Sequence, residues 1–239
     1  MSMHPLRPSR RLGGIEIDTT VRPGDPAYRR LLADAPTTGR CPVWITGYGT
    51  ESLDPRWQAE PALADLETRD ANDVLTDRWP GGCACPEDCM APFHDGFPGI
   101  LPRPRVEYAD TIDAAAAVAD TPYTGDLAVV PVTRPADIPA ATGWTGMINS
   151  WDDAVGASAV LRSWEERFGA VLVRMDRGSL YLGVAAPPTT REDCLRVAAE
   201  HIAFCWDAFE TYTGQMSTDT LRRYALRLRG ANRWRFWWD

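Results

Sequence analysis

The part of the chain that most restricts its fold is residues 170–185, where two apolar runs, 170–175 and 179–185, are joined by Asp176-Arg177-Gly178. A short polar connection containing glycine between β-rich runs reads as a hairpin, and a hairpin imposes antiparallel pairing. The neighbouring text is equally regular. Residues 127–132 form an apolar run suited to a buried strand, and residues 152–168 carry a helical pattern that stops at Gly169, a C′ glycine. Thr189 followed by Glu192 reads as a capping box that opens a helix running to about Cys205. Ser217 or Thr218 opens another helix that ends at Gly230, and residues 234–238 make a closing strand, apolar on both faces. These elements predict an α+β fold, with a mainly antiparallel sheet and helices packed on at least one of its faces.

The first half is less regular and loop-rich. Residues 1–12 read as a basic tail, Asp25-Pro26 opens a short helix through Leu32 with aspartate as N-cap, and residues 41–46 form a strand. Between residues 51 and 105 the text is rich in proline, glycine and acid, with one helix around 62–75. An alanine-rich helix ends near residues 120–125, where the patterning becomes cleaner. The division expected is therefore an N-terminal region, residues 1–122, and a C-terminal domain, residues 123–239. No internal repeat is present.

All 25 basic residues are arginine. Without lysine there is no pyridoxal Schiff base (no PLP enzyme) and no P-loop nucleotide site. The longest apolar runs, residues 114–119 and 127–132, are far short of the roughly 20 residues that cross a bilayer, and no apolar stretch follows Arg7, Arg10 and Arg11. A cytoplasmic protein with neither membrane anchor nor signal peptide is expected. A net charge of −8 argues against a nucleic-acid partner, because phosphate contacts need a basic surface. Charge is unevenly placed: eleven carboxylates face three arginines between Glu51 and Asp95, while Arg222, Arg223, Arg227, Arg229, Arg233 and Arg235 crowd the C-terminus. Ordinary solvated faces explain that pattern, and so does attraction of the two halves for each other or for a charged partner.

The most chemical segment is Cys83-Ala-Cys85-Pro-Glu-Asp-Cys89 with His94. Three thiolates and an imidazole in an irregular loop can surround one tetrahedral zinc, although the spacing is not that of ordinary C-x2-C knuckles. A structural zinc held by Cys83, Cys85, Cys89 and His94 is one reading, incidental thiols are a second, and a redox or catalytic role is a third. Asp88 and Asp95 are weaker candidate ligands.

A second constellation lies on the helix ending at Cys205. At about 100° per residue, Glu192, Arg196 and Glu200 share a polar face, while His201 falls on the inner side with Cys194 and Cys205. Glu200, His201, Cys205 and Asp207 are the candidate catalytic set of a hydrolase or transferase. The competing reading makes His201 a hydrogen-bonded core residue and the cysteines small hydrophobes. No G-x-S-x-G elbow, G-x-G-x-x-G loop or H-E-x-x-H helix is present, so conventional enzyme classes have thin support. Ten tryptophans are many for 239 residues, and those near the C-terminus are either packed between layers or part of a protein-binding surface.

Several spaced runs occur in order: Val160-Leu-Arg-Ser-Trp-Glu-Glu-Arg-Phe-Gly-Ala170, Ser179-Leu-Tyr-Leu182, Val184-Ala-Ala-Pro-Pro-Thr189, Ala199-Glu-His-Ile-Ala-Phe-Cys205 and Phe236-Trp-Trp-Asp239. Over about the last 110 residues the chain resembles a bacterial family, common in actinobacteria, of domains of unknown function (DUF4253). It departs from the family at Cys205-Trp206-Asp207, where Cys-Pro-Asp is the pattern. The resemblance implies a domain boundary and no activity. Taken together, the residues point to a protein-interaction or regulatory module that binds another protein, with the hydrolase or transferase as alternative and the oligomeric state open.

Overall fold

The computed structural model describes residues 10–12, 15–46, 63–80, 89–207 and 220–238. The strands are β1 (Arg10–Leu12), β2 (Ile15–Asp18), β3 (Cys41–Thr46), β4 (Gly125–Val130), β5 (Ala170–Met175), β6 (Ser179–Val184) and β7 (Arg233–Trp237). The helices are α1 (Pro26–Thr38), α2 (Ala71–Arg78), α3 (Tyr108–Ala119), the short α4 (Ile138–Thr142), α5 (Ala154–Phe168), α6 (Arg191–Phe204) and α7 (Thr220–Leu228). All strands join one sheet in the order β1-β2-β4-β3-β5-β6-β7. Every pairing is antiparallel except β3 with β5. The fold is thus α+β with a mostly antiparallel sheet, and strands from both sides of the 122/123 division lie in that sheet.

Alternation along the strands sends side chains to two separate cores. On one face Trp44, Leu127, Val171 and Val173 pack with Tyr28 and Leu32 of α1 and with Ala115 and Val118 of α3. On the other face Val43, Ile45, Ala128, Val130, Leu172, Leu180, Leu182, Trp234 and Phe236 pack under α2, α5 and α6. Helices therefore cover both faces. Gly183 permits the close approach of α3 to β6, since a Cβ there would lie 2.6 Å from the Ala114 carbonyl oxygen.

Local chemistry sets the element ends. Asp25 caps α1 by accepting from the Ala27 N–H at 2.7 Å, and the helix runs past the expected stop at Leu32 because Ala35 extends its buried stripe to the left-handed Gly39. Asp153 caps α5, and Gly169, at φ 57°, ends it as predicted. The hairpin β5–β6 forms where the sequence places it.

Four expectations are corrected. Residues 10–12 are not tail but an edge strand paired with β2. The single helix at 62–75 is two pieces, a 3-10 turn over Leu63–Thr68 and then α2, because Asp70 accepts from the N–H groups of Asn72 and Asp73 and starts a new helix. The cap of α6 is Thr190, which accepts from the Asp193 N–H at 3.1 Å, rather than the Thr189/Glu192 pair. Finally, β7 is not apolar on both faces: Trp234, Phe236 and Trp238 are buried, whereas Arg233, Arg235 and Trp237 are exposed.

Candidate functional site

Glu200, placed by helical spacing on a polar face, is completely buried. Its carboxylate accepts from the Leu101 N–H at 2.8 Å, Trp164 Nε1 at 2.7 Å, Arg167 Nη1 at 3.0 Å and Arg167 Nη2 at 2.7 Å. Arg167 also donates from Nη1 to the Leu101 carbonyl at 2.9 Å and from Nε to Ser163 Oγ at 3.0 Å. Four donors match the capacity of one carboxylate, so the pair is satisfied and ties α5, α6 and the segment at Leu101 together. Helical periodicity assigns a face but does not say what covers it, and here the segment around residue 101 does.

His201 is also fully buried, with Nδ1 2.9 Å from the Tyr224 hydroxyl. Its ring lies 4.4 Å from Trp234 and 4.8 Å from both Trp164 and Phe236, centroid to centroid. Burial, helped by the Arg167 charge, holds its pKa well below the usual histidine value, so the imidazole is neutral. Cys205 is buried and its Sγ donates to the Trp237 carbonyl at 3.1 Å. Asp207 accepts from Ser150 Oγ at 2.5 Å. The four candidate catalytic residues are therefore close in the chain but bonded to different groups: Glu200 to Arg167, His201 to Tyr224, Cys205 to Trp237 and Asp207 to Ser150.

Of the candidate zinc ligands, Cys83 and Cys85 lie outside the described residues, as does Asp88. Cys89 is buried and its carbonyl accepts from the Leu221 N–H at 3.1 Å, while His94 and Asp95 are exposed. Among the described residues no group of three or more His, Cys, Asp or Glu is placed to hold a metal ion. Next to this segment, a groove of about 460 Å³ is walled by Pro92, Phe93, Pro98 and Leu195 and also lined by Arg191, Glu192 and Arg196. Arg196 closes one wall by donating from Nη2 to the Pro98 carbonyl at 3.1 Å.

A more unusual arrangement lies across the sheet. The β5–β6 register shifts between Leu172 and Arg174, a β-bulge at Val173. Strict alternation from Leu172 would point Arg174 into the core of Leu180 and Leu182; the extra residue turns it to the opposite face. There it pairs in register with Trp44 of β3 on one side and Tyr181 of β6 on the other, and Tyr181 pairs with Arg235 of β7. The result is a cross-strand row, Trp44, Arg174, Tyr181, Arg235, alternating aromatic and cationic side chains. The Arg174 guanidinium carbon lies 4.2 Å from the Tyr123 ring and 6.0 Å from the Tyr181 ring, and that of Arg235 lies 5.4 Å from Tyr181.

Arg174 is 6% exposed and forms no ion pair among the described residues. Its Nη2 donates to the carbonyls of Val118, at 2.6 Å, and Thr121, at 2.8 Å, and to the Thr121 hydroxyl. Those carbonyls stand at the C-terminal end of α3, where the helix dipole favours a cation. Burial lowers its pKa, and nearby Arg233 acts in the same direction, against the neighbouring tyrosines. The sequence marks Arg174 only by its charge inside an otherwise apolar strand; the row itself depends on strand order and on a bulge, and neither is written in local patterning.

Residues 126–239 match the family model of a domain of unknown function (DUF4253). No curated protein and no solved structure is detectably similar to the chain.

Proposed function

We propose that this protein is an interaction module that docks an acidic, extended segment of a partner protein along the outer edge of β7. One observation carries the reading: at that edge, Trp237 is 41% exposed and lies in line with the exposed Arg233 and Arg235. The Trp238 N–H donates to the Gly178 carbonyl and the Val184 N–H to the Asn232 carbonyl, which makes the even-numbered residues of β7 the ones bonded to β6. Residues 233, 235 and 237 accordingly turn their backbone groups outward as well. The Trp237 carbonyl is taken by Cys205 Sγ, so the remaining outward groups belong mainly to Arg233 and Arg235. A strand added there would gain main-chain hydrogen bonds, and carboxylates on it would meet two arginines that form no ion pair among the described residues. Asp176 is the carboxylate that already acts on Arg235.

A library of random peptides selected on the purified protein tests this. Enriched sequences should carry Asp or Glu near an apolar residue, bind more weakly as salt rises, and lose at least tenfold in affinity to the double variant Arg233→Glu/Arg235→Glu. Selection without acidic enrichment, or equal binding by the double variant, would reject the docking edge. In the same proposal Cys83, Cys85, Cys89 and His94 hold a structural zinc, a reading supported by the clustering of three cysteines and a histidine in one short segment. Elemental analysis should find about one zinc per chain that is lost in Cys85→Ser.

A further inference from the structure

Beneath the exposed edge lies a group of donors without acceptors. Arg174 spends its hydrogen bonds through Nη2 alone, and its buried Nε has no partner. Trp44, its register neighbour across the parallel β3–β5 pair, is 1% exposed and its Nε1 also lacks a partner. Tyr28 of α1, packed in the same apolar cluster as Trp44, is 1% exposed with an unpartnered hydroxyl. Buried polar groups without partners are uncommon in native proteins, and here two of them, the Trp44 indole N–H and the Tyr28 hydroxyl, lie on the sheet face to which the bulge turns the Nε of Arg174. Each is held in place by other structure: Arg174 by the bulge and the end of α3, Trp44 by its strand, Tyr28 by α1.

We propose that Arg174, Tyr28 and Trp44 form an enclosed site for one small oxyanion, a carboxylate or a phosphate. The charge, the donor types and the lack of any carboxylate paired with Arg174 among the described residues fit an anionic acceptor. A neutral water would satisfy the donors but leave the guanidinium charge uncompensated in a buried setting. This site uses different residues from the docking edge, and the two stand or fall separately. Tyr123 and Tyr181 flank the guanidinium.

Thermal melting of the full chain at constant ionic strength, with inorganic phosphate in one arm and formate in the other, reads the proposal directly. In at least one arm the midpoint should rise with concentration and saturate, and the arm that does so identifies the oxyanion. Tyr28→Phe should weaken the apparent affinity several-fold, and Arg174→Met should abolish the response. If Arg174→Met fails to fold, Arg174→Lys, which keeps the charge and loses the planar fork, should weaken binding at least tenfold. Absence of saturation in both arms, or equal responses in the wild type and the Arg174 variant, would overturn the site. So would a crystal structure grown in phosphate and formate that shows only a water at Arg174 Nε.

Discussion

Arg167 and Arg174 are equally buried, at 7% and 6% exposure, and flank the same strand region from opposite faces of the sheet. Arg167 meets a carboxylate that is itself saturated by four donors. Arg174 meets carbonyls, a hydroxyl and two aromatic rings and, among the described residues, no carboxylate. Removing a charge from water costs several kcal/mol, a cost that a well-made ion pair offsets and that carbonyl dipoles offset only in part. The first arginine therefore belongs to the architecture: it fastens α5 to α6 and to the segment at Leu101. The second is held at a disadvantage by a bulge, and such local irregularities recur beside functional sites. The face that carries it also carries the exposed arginines and Trp237 of β7.

The sharpest way to break this contrast is to unpair Arg167. Glu200→Gln keeps the shape of the side chain and leaves a buried guanidinium uncompensated, so unfolding in urea should show a loss of about 3–5 kcal/mol. A loss under about 1 kcal/mol would mean that the two arginines do not differ in the way described. Next in size is His201. Its Tyr224 bond and aromatic box predict a cost of about 1–3 kcal/mol for His201→Ala, from a cavity and an unpaired hydroxyl. The pH dependence has a definite sign. The folded imidazole has its pKa depressed, while the unfolded one titrates near 6.5, so below that pH the unfolded state binds the extra proton. Stability contributed by the neutral ring is complete above about pH 6.5 and is lost as pH falls through and below it, by up to about 1.4 kcal/mol per pH unit. Subtracting the curve of His201→Gln from that of wild type isolates this slope. A flat difference between pH 7 and pH 5 would show that the buried ring is protonated in the fold.

Local signals in the sequence account for much of the C-terminal half. The hairpin, the glycine stop at residue 169 and the closing strand all rest on interactions between near neighbours, and these survive in the structure. What was not legible depends on partners distant in the chain. Glu200 sits on a helix face that looks solvated until Leu101, 99 residues away, covers it. Likewise, the four residues of the cross-strand row come from β3, β5, β6 and β7, and one of the three pairings is the parallel one between β3 and β5. Trp237 differs from expectation for a simpler reason: hydropathy alone makes the run Trp234 to Trp238 apolar throughout, whereas the alternating Arg233 and Arg235 mark the face on which Trp237 is exposed.

Replacing Arg174 tests the other half of the contrast. Arg174→Met removes an unpaired buried charge, which is favourable, and deprives the Val118 and Thr121 carbonyls of a donor, which is not. The net cost should be about 1–2 kcal/mol, less than half that of Glu200→Gln under the same conditions. Equal losses would show that Arg174 is as much a part of the architecture as Arg167.

The smallest stability effect should come from Trp237, and it is the one that separates binding from folding. Its side chain stands on the exposed side of an edge strand, whereas Trp234 and Phe236, its neighbours on the other side, pack against Trp164. Truncating a partly exposed side chain away from the core costs little, within about 0.5 kcal/mol, and for a chain of this length such a change moves the melting midpoint by no more than about 2 °C. Exposed tryptophans are nonetheless frequent anchors of protein interfaces, because a large rigid ring desolvates on contact with little loss of side-chain freedom. Trp237→Ala should therefore leave the melt almost unchanged and reduce binding of an acidic peptide chosen on the wild type by at least tenfold. Trp234→Ala makes the control: it opens a cavity between Trp164 and Phe168 and should cost about 3–5 kcal/mol whether or not the edge binds anything. A Trp237→Ala protein that melts several degrees lower would place this residue with the core after all, and one that melts normally and still binds would remove it from the docking edge.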